Sequence, residues 1–193
     1  MVLRQALYAL AAMAVPCFEP ADATLPQRLN AAQVAQAVVA AMRTDVTQAG
    51  LQAAAALAIR NMTERSDAGG AAIAQQFVDA GAGNALMDAL AASAIRGAAS
   101  DTLKALAALA RYGGSAAQLL AAGVAEAIMA AVDKHCTRGR MLSADYDGKQ
   151  VLEPALSAIA ALAASAPADS ARLSMAGACN AVVSSAVEQC PEV

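Results

Sequence analysis

Apolar positions recur at helical spacing through Asp101–Val132, DTLKALAALARYGGSAAQLLAAGVAEAIMAAV. Leu103, Leu106, Leu109 and Ala110 mark one face of a first helix, which a Gly-Gly pair interrupts. A shorter helix carrying Leu119 follows and ends at Ala122-Gly123. An amphipathic helix with Ala127, Ile128 and Met129 comes next. The same order returns on both sides, with Ala80-Gly81 and Ala176-Gly177 matching Ala122-Gly123, so that the glycines stand 42 and 54 residues apart. A helical unit of this length that repeats predicts a stacked solenoid, because one unit cannot bury its apolar face without its neighbours.

Along the chain, Val2–Val15 predicts a helix whose Leu7, Leu10, Met13 and Ala14 superpose on the Leu103 set. The competing reading is a signal peptide built from Arg4, Ala6–Leu10 and Ala12-Met13-Ala14. It is shorter than such leaders usually are, and the helix is preferred. Pro16 and Pro20 then end the helix, since neither can donate to its ladder. Leu29 precedes Gln33 by four residues, as Leu119 precedes Gly123, and Ala37-Val38-Val39 matches Ala127-Ile128-Met129. Thr44, Asp45 and Thr47 offer caps for a helix reaching Asn61, in which Leu51, Ala54, Leu57 and Ala58 align with the Leu103 set and with Leu156, Ile159, Leu162 and Ala163. A break at RSDAGG, ending at Gly70, leads to a short helix through Phe77 and then to one opening at Asn84, with Ala85, Leu86 and Leu90 on its apolar face. Residues 133–150, with Lys134, Arg138, Arg140, Lys149 and the single histidine, predict a surface loop that lengthens one unit.

Composition narrows the function. Hydrophobic residues make up 59% of the 193 and mean hydropathy is +0.46. No uncharged run exceeds 15 residues, too short to span a bilayer, and one of that length, Pro154–Ala168, holds two prolines. The excess is alanine, the strongest helix former, and the chain reads as all-α. A net charge of −3 and pI near 5.1 supply no basic field for phosphate backbones, so no nucleic-acid partner is expected. Cys17, Cys136, Cys179 and Cys190 lack CxxC spacing and read as reduced thiols, which predicts a cytoplasmic protein.

The register of the Ala-Gly turns and Leu-Ala pairs resembles armadillo repeats, with HEAT repeats the near alternative. The resemblance implies a right-handed superhelix of three-helix units whose third helices line an inner groove. It divides the single domain 1–193 into a partial unit 1–18, a partial-to-full unit 29–81, units 82–123 and 124–177, and a partial unit 178–193. Peptide-binding members carry a Trp and an Asn on the third helix. Tyr8, Gln52, Lys104 and Ser157 match the Trp and Ala12, Ala56, Ala108 and Ala161 the Asn. Alanine has no side-chain donor or acceptor, so the resemblance implies no regular amide ladder to a peptide main chain. Apolar faces at both ends predict end-on contact with further repeats or another subunit.

Candidate chemistry is sparse. Gly81-Ala-Gly83 lacks the third glycine and the preceding strand of a dinucleotide fingerprint and reads as a turn. His135-Cys136 has no matching cluster for a metal, and Asp145-Tyr146-Asp147 is only half a calcium loop. Asn61-Met62-Thr63 fits a glycosylation acceptor. No nucleophile, base and orienting group converge by spacing, so no catalytic residue, cofactor or metal is expected. The function expected is a non-catalytic protein-interaction scaffold, with Tyr8, Gln52, Lys104, Arg111 and Ser157 as partner-binding candidates. The alternatives are a structural component of a cytoskeletal, ciliary or other large assembly, and the recruitment domain of a larger enzyme such as a ubiquitin ligase.

Overall fold

A computed structural model describes residues 2–13, 33–64, 68–135 and 149–167, together with 171, 173 and 177. These form helices α1 (Val2–Met13), α2 (Val34–Thr44), α3 (Ala49–Thr63), α4 (Ala68–Asp79), α5 (Ala82–Ala92), α6 (Arg96–Ala110), α7 (Gly113–Ala121), α8 (Val124–His135) and α9 (Lys149–Ser165). No strand occurs among the described residues. Leu29, Pro16 and Pro20, three of the RSDAGG residues (65–67), all four cysteines, Asp145 and Asp147, and the segment from Ala178 onward lie outside them.

The helices stack as three parallel rows. The long helices α1, α3, α6 and α9 pack one on the next; α2, α5 and α8 form a second row; α4 and α7 belong to a third. The turns into α5 and α8 pass through a left-handed backbone, with φ of 85° at Gly81 and 88° at Gly123, and Gly177 has φ 80° as well. There a Cβ would press on the carbonyl, which is why the repeated Ala-Gly carries structural meaning. Gln33 holds the same place with φ 53°. At Gly123 the direction changes by 71° between α7 and α8.

The glycine pairs expected as breaks instead open helices. Gly69 and Gly70 sit in the first turn of α4, and Gly113 and Gly114 are the first residues of α7. Glycine is tolerated in a first turn, where N–H groups have no helical partner, and at the start of α7 the packing is tight as well. A Cβ on Gly113 would come 3.1 Å from the Ser165 carbonyl, and one on Gly114 would lie 3.2 Å from Gln75 Oε1. Gly83 likewise is not a turn residue: it lies inside α5, where a Cβ would meet Leu119 Cδ2 at 2.8 Å. Helix α5 therefore opens at Ala82, two residues ahead of the expected Asn84. Thr44, Asp45 and Thr47 do not cap α3. Asp45 Oδ1 accepts from Thr47 N at 3.1 Å and Thr47 Oγ1 at 2.7 Å, making a local turn before the N-cap Gln48. The expected loop is shortened as well, since α8 continues to His135 and α9 begins at Lys149; residues 136–148 lie outside the described chain.

One apolar core runs through the rows, with Leu86, Leu103, Leu106, Leu109, Leu119 and Ile128 at most 1% exposed. Helix α3 is buried nearly all round: Ala54, Ala55, Ala56 and Ala58 are each fully inaccessible. Each alanine buries little area, so stability is distributed over many contacts between successive units. Every row adds one polar tie between units. Gln75 Nε2 donates to Gln118 Oε1 at 3.2 Å, Lys134 Nζ to the Ala91 carbonyl at 2.8 Å, and Tyr112 Oη to the Thr63 carbonyl at 2.8 Å.

Candidate interaction surface

The long-helix row places the sequence-derived candidates unequally. Tyr8 is 41% exposed on α1, which lies over α3 with Arg4 against Gly50. Lys104 is half-buried on α6 and Arg111 is exposed at its C-cap, while Ser157 is exposed on α9. Gln52 is different. It is 2% exposed, and its Nε2 donates to the Met42 carbonyl at 2.8 Å and the Asp45 carbonyl at 2.9 Å. Its amide thus closes the C-terminal end of α2, and Gln52 presents no surface to a partner.

The reason is helix register. Helices α3 and α6 are both 15 residues long, and their N-caps Gln48 and Ile95 and C-caps Glu64 and Arg111 coincide when the helices are superposed end to end. Ile59 and Met62 then match Leu106 and Leu109, and the burial classes agree at 10 of the 15 positions. The partner of Lys104 on α3 is therefore Leu57, not Gln52, and the partner of Ala108 is Asn61, not the buried Ala56. Superposing the first residues of α6 and α9 keeps Ser157 with Lys104 and Ala161 with Ala108, as the sequence pattern has it. Leu57 and Asn61 were missed because alanine fills both sides of α3, so several registers satisfy one apolar period. Helix-end matching, including Gly50 against Gly97 as second residues, carries the signal that side-chain periodicity lacks.

Along this face lie Leu57, Arg60 and Asn61 of α3, Asp101 and Lys104 of α6, and Glu153, Leu156 and Ser157 of α9; Glu153 and Ser157 are exposed and the others partly buried. Charges are matched within helices: Arg60 Nε is 3.7 Å from Glu64 Oε1, and Lys104 Nζ is 3.7 Å from Asp101 Oδ1. Such pairs contribute a few tenths of a kcal/mol each and leave the face close to neutral. Asn61 Oδ1 accepts from Arg60 Nη2 at 3.4 Å. Alanines at 108 and 161 supply no further amide in this register, so the face carries a single such group rather than a ladder.

No family model and no curated protein matches the sequence. Among solved structures, a designed armadillo repeat protein, YIII(Dq.V1)4CPAF in complex with the peptide (KR)4, is similar over 94% of this chain with a TM-score of 0.71 and 21% identity. The fold is an armadillo-like repeat. The chain spans 66% of the designed protein's length. At that identity the likeness concerns the backbone path of the armadillo-like repeat.

His135 is the remaining candidate inside the described residues. It ends α8, is 8% exposed, and its Nε2 is buried without a hydrogen bond. Burial first, then the charges of Lys134 and Arg96, hold its pKa below the ordinary 6.5, against a hydrogen bond with the Ser93 backbone that raises it. Among the described residues no group of three or more His, Cys, Asp or Glu is placed to hold a metal. No single described helix is long and apolar enough to cross a bilayer.

Proposed function

We propose that this armadillo-like repeat is a non-catalytic scaffold that holds a protein partner along the face of α3, α6 and α9. The supporting observation is the alignment, helix after helix, of equivalent positions on one face: Leu57, Lys104 and Ser157, flanked by Asn61 and Arg111. The similar designed protein is complexed with an alternating Lys-Arg peptide. Here Arg60, Lys104 and Arg111 share the face with Glu64, Asp101 and Glu153, so a strongly basic peptide gains no net attraction. The partner segment this face suits is of mixed or neutral charge, with an apolar residue for Leu57 and Leu156 and an acidic one for Arg111.

Affinity capture from native extract tests the proposal. The double change Lys104→Glu and Arg111→Glu abolishes capture of a partner that the unaltered chain retains, with an unchanged thermal melt. Retention by that variant and by Leu57→Glu alike overturns it. A second reading, a structural part of a larger assembly that uses the α1 end, is favoured by the exposure of Val2 at 85%, Leu3 at 44% and Tyr8 at 41%. Capture that survives the Lys104 and Arg111 changes but is lost with Leu3→Glu selects this reading.

A further inference from the structure

The second row contains a site that the long-helix face does not explain. Helices α2 and α5 are both 11 residues long and start after left-handed N-caps, Gln33 and Gly81, so Arg43 corresponds to Ala91 and Thr44 to Ala92. Counting from Gly81 and Gly123 in the same way, Ala92 corresponds to Lys134 of α8. At the junction of α5 and α8, Lys134 reaches back to donate to the Ala91 carbonyl at 2.8 Å. That bond satisfies one of the last carbonyls of α5 with a cation at the negative end of the helix.

At the junction of α2 and α5 the corresponding side chain is missing. Ala92 replaces the lysine, and an open cleft of about 510 Å³ remains, lined by Met42, Arg43, Val46, Ala85, Asp88, Ala91 and Ala92. The Ala41 carbonyl takes the Thr44 hydroxyl and the Met42 carbonyl takes the Gln52 amide. The Arg43 carbonyl, counterpart of the Ala91 carbonyl, accepts no side-chain hydrogen bond among the described residues. Asp88 is exposed in the cleft and has no ion-pair partner among them. The positive head of Arg43 is turned away, with Nη2 2.6 Å from the place of a Cβ on Gly81, at the opposite end of α5. Ten residues of helix put that end about 15 Å from Ala91.

We infer that this cleft receives a lysine side chain from a protein partner, which does in trans what Lys134 does within the chain. Its ammonium donates to the Arg43 carbonyl and pairs with Asp88, while its methylene stem lies on Met42, Val46 and Ala85. The site is separate from the long-helix face and does not depend on the function proposed for that face.

The test uses the full chain, amide-resolved NMR and the capped peptide Ala-Ala-Lys-Ala-Ala, with a norleucine peptide as its uncharged counterpart. The lysine peptide shifts the amides of Arg43 to Val46, Asp88 and Ala92, and the norleucine peptide does not. Asp88→Asn weakens the lysine peptide about fivefold, the size of an exposed ion pair. Ala92→Lys supplies the missing group internally, raises Tm by about 1–4 °C and abolishes the peptide-induced shifts, whereas Ala92→Met does neither. The Lys104→Glu, Arg111→Glu variant binds the peptide as the unaltered chain does. Equal shifts with norleucine, no shifts at the peptide's solubility limit, or full binding by Ala92→Lys each overturn the inference.

Discussion

Gln33→Gly stabilises the protein, and the size of the gain follows from one backbone angle. Gln33 has φ 53° and ψ 37° with no side-chain capping bond, and its side chain is exposed. A left-handed residue with a Cβ costs about 1–2 kcal/mol. Glycine removes that cost but frees the unfolded chain, giving back about 0.4–1 kcal/mol. The net gain is therefore about 0.5–1 kcal/mol, or roughly 1–4 °C in Tm for a chain of this size. Gly123→Ala is the reciprocal change: the nearest group to its new Cβ is Glu126 Oε2 at 3.6 Å, an ordinary contact, so the loss is conformational and of similar size. Urea and thermal melts of the two variants, with Gln33→Ala as the control, measure both. A gain for Gln33→Ala equal to that for Gln33→Gly would trace the effect to the glutamine side chain and refute the backbone argument.

Three further outcomes follow from the same geometry. Gln52→Met keeps the side-chain volume but removes both donors to α2, lowering stability by about 1–3 kcal/mol in urea melts while leaving partner capture intact; loss of capture with an unchanged melt would return Gln52 to the binding face. Tyr112→Phe deletes the bond to the Thr63 carbonyl and lowers stability by about 1 kcal/mol, and an unchanged urea midpoint would show that the tie between the N-cap of α7 and the end of α3 is not formed in solution. His135 is the single histidine, so its imidazole signals titrate without ambiguity, with a midpoint below 6.5. Because the folded state binds this proton less readily than the unfolded chain, the group's contribution is intact above the unfolded pKa and is lost as pH falls through the depressed folded value; a midpoint above 6.5 contradicts the burial.

What the amino-acid sequence determined by itself was the architecture. Helical periodicity in an alanine-rich chain, punctuated by Ala-Gly at 80–81, 122–123 and 176–177, specifies stacked helices because only glycine enters the left-handed turn without strain and only neighbours can cover the apolar faces. The tertiary structure alone decided which side chains remain at the surface. Alanine looks the same from every side of a helix, so the Leu51 pattern gave no reason to prefer the register that buries Gln52 and brings Leu57 and Asn61 into line with Lys104 and Ala108. The helix ends made that choice. The glycine pair that opens α7 read as a break for a related reason: a sequence shows a missing side chain, but only the approach of Ser165 and Gln75 shows what its absence admits. The empty counterpart of Lys134 likewise became visible only when successive helices of one row could be laid end to end, since a vacancy between units is a property of their packing and not of either helix.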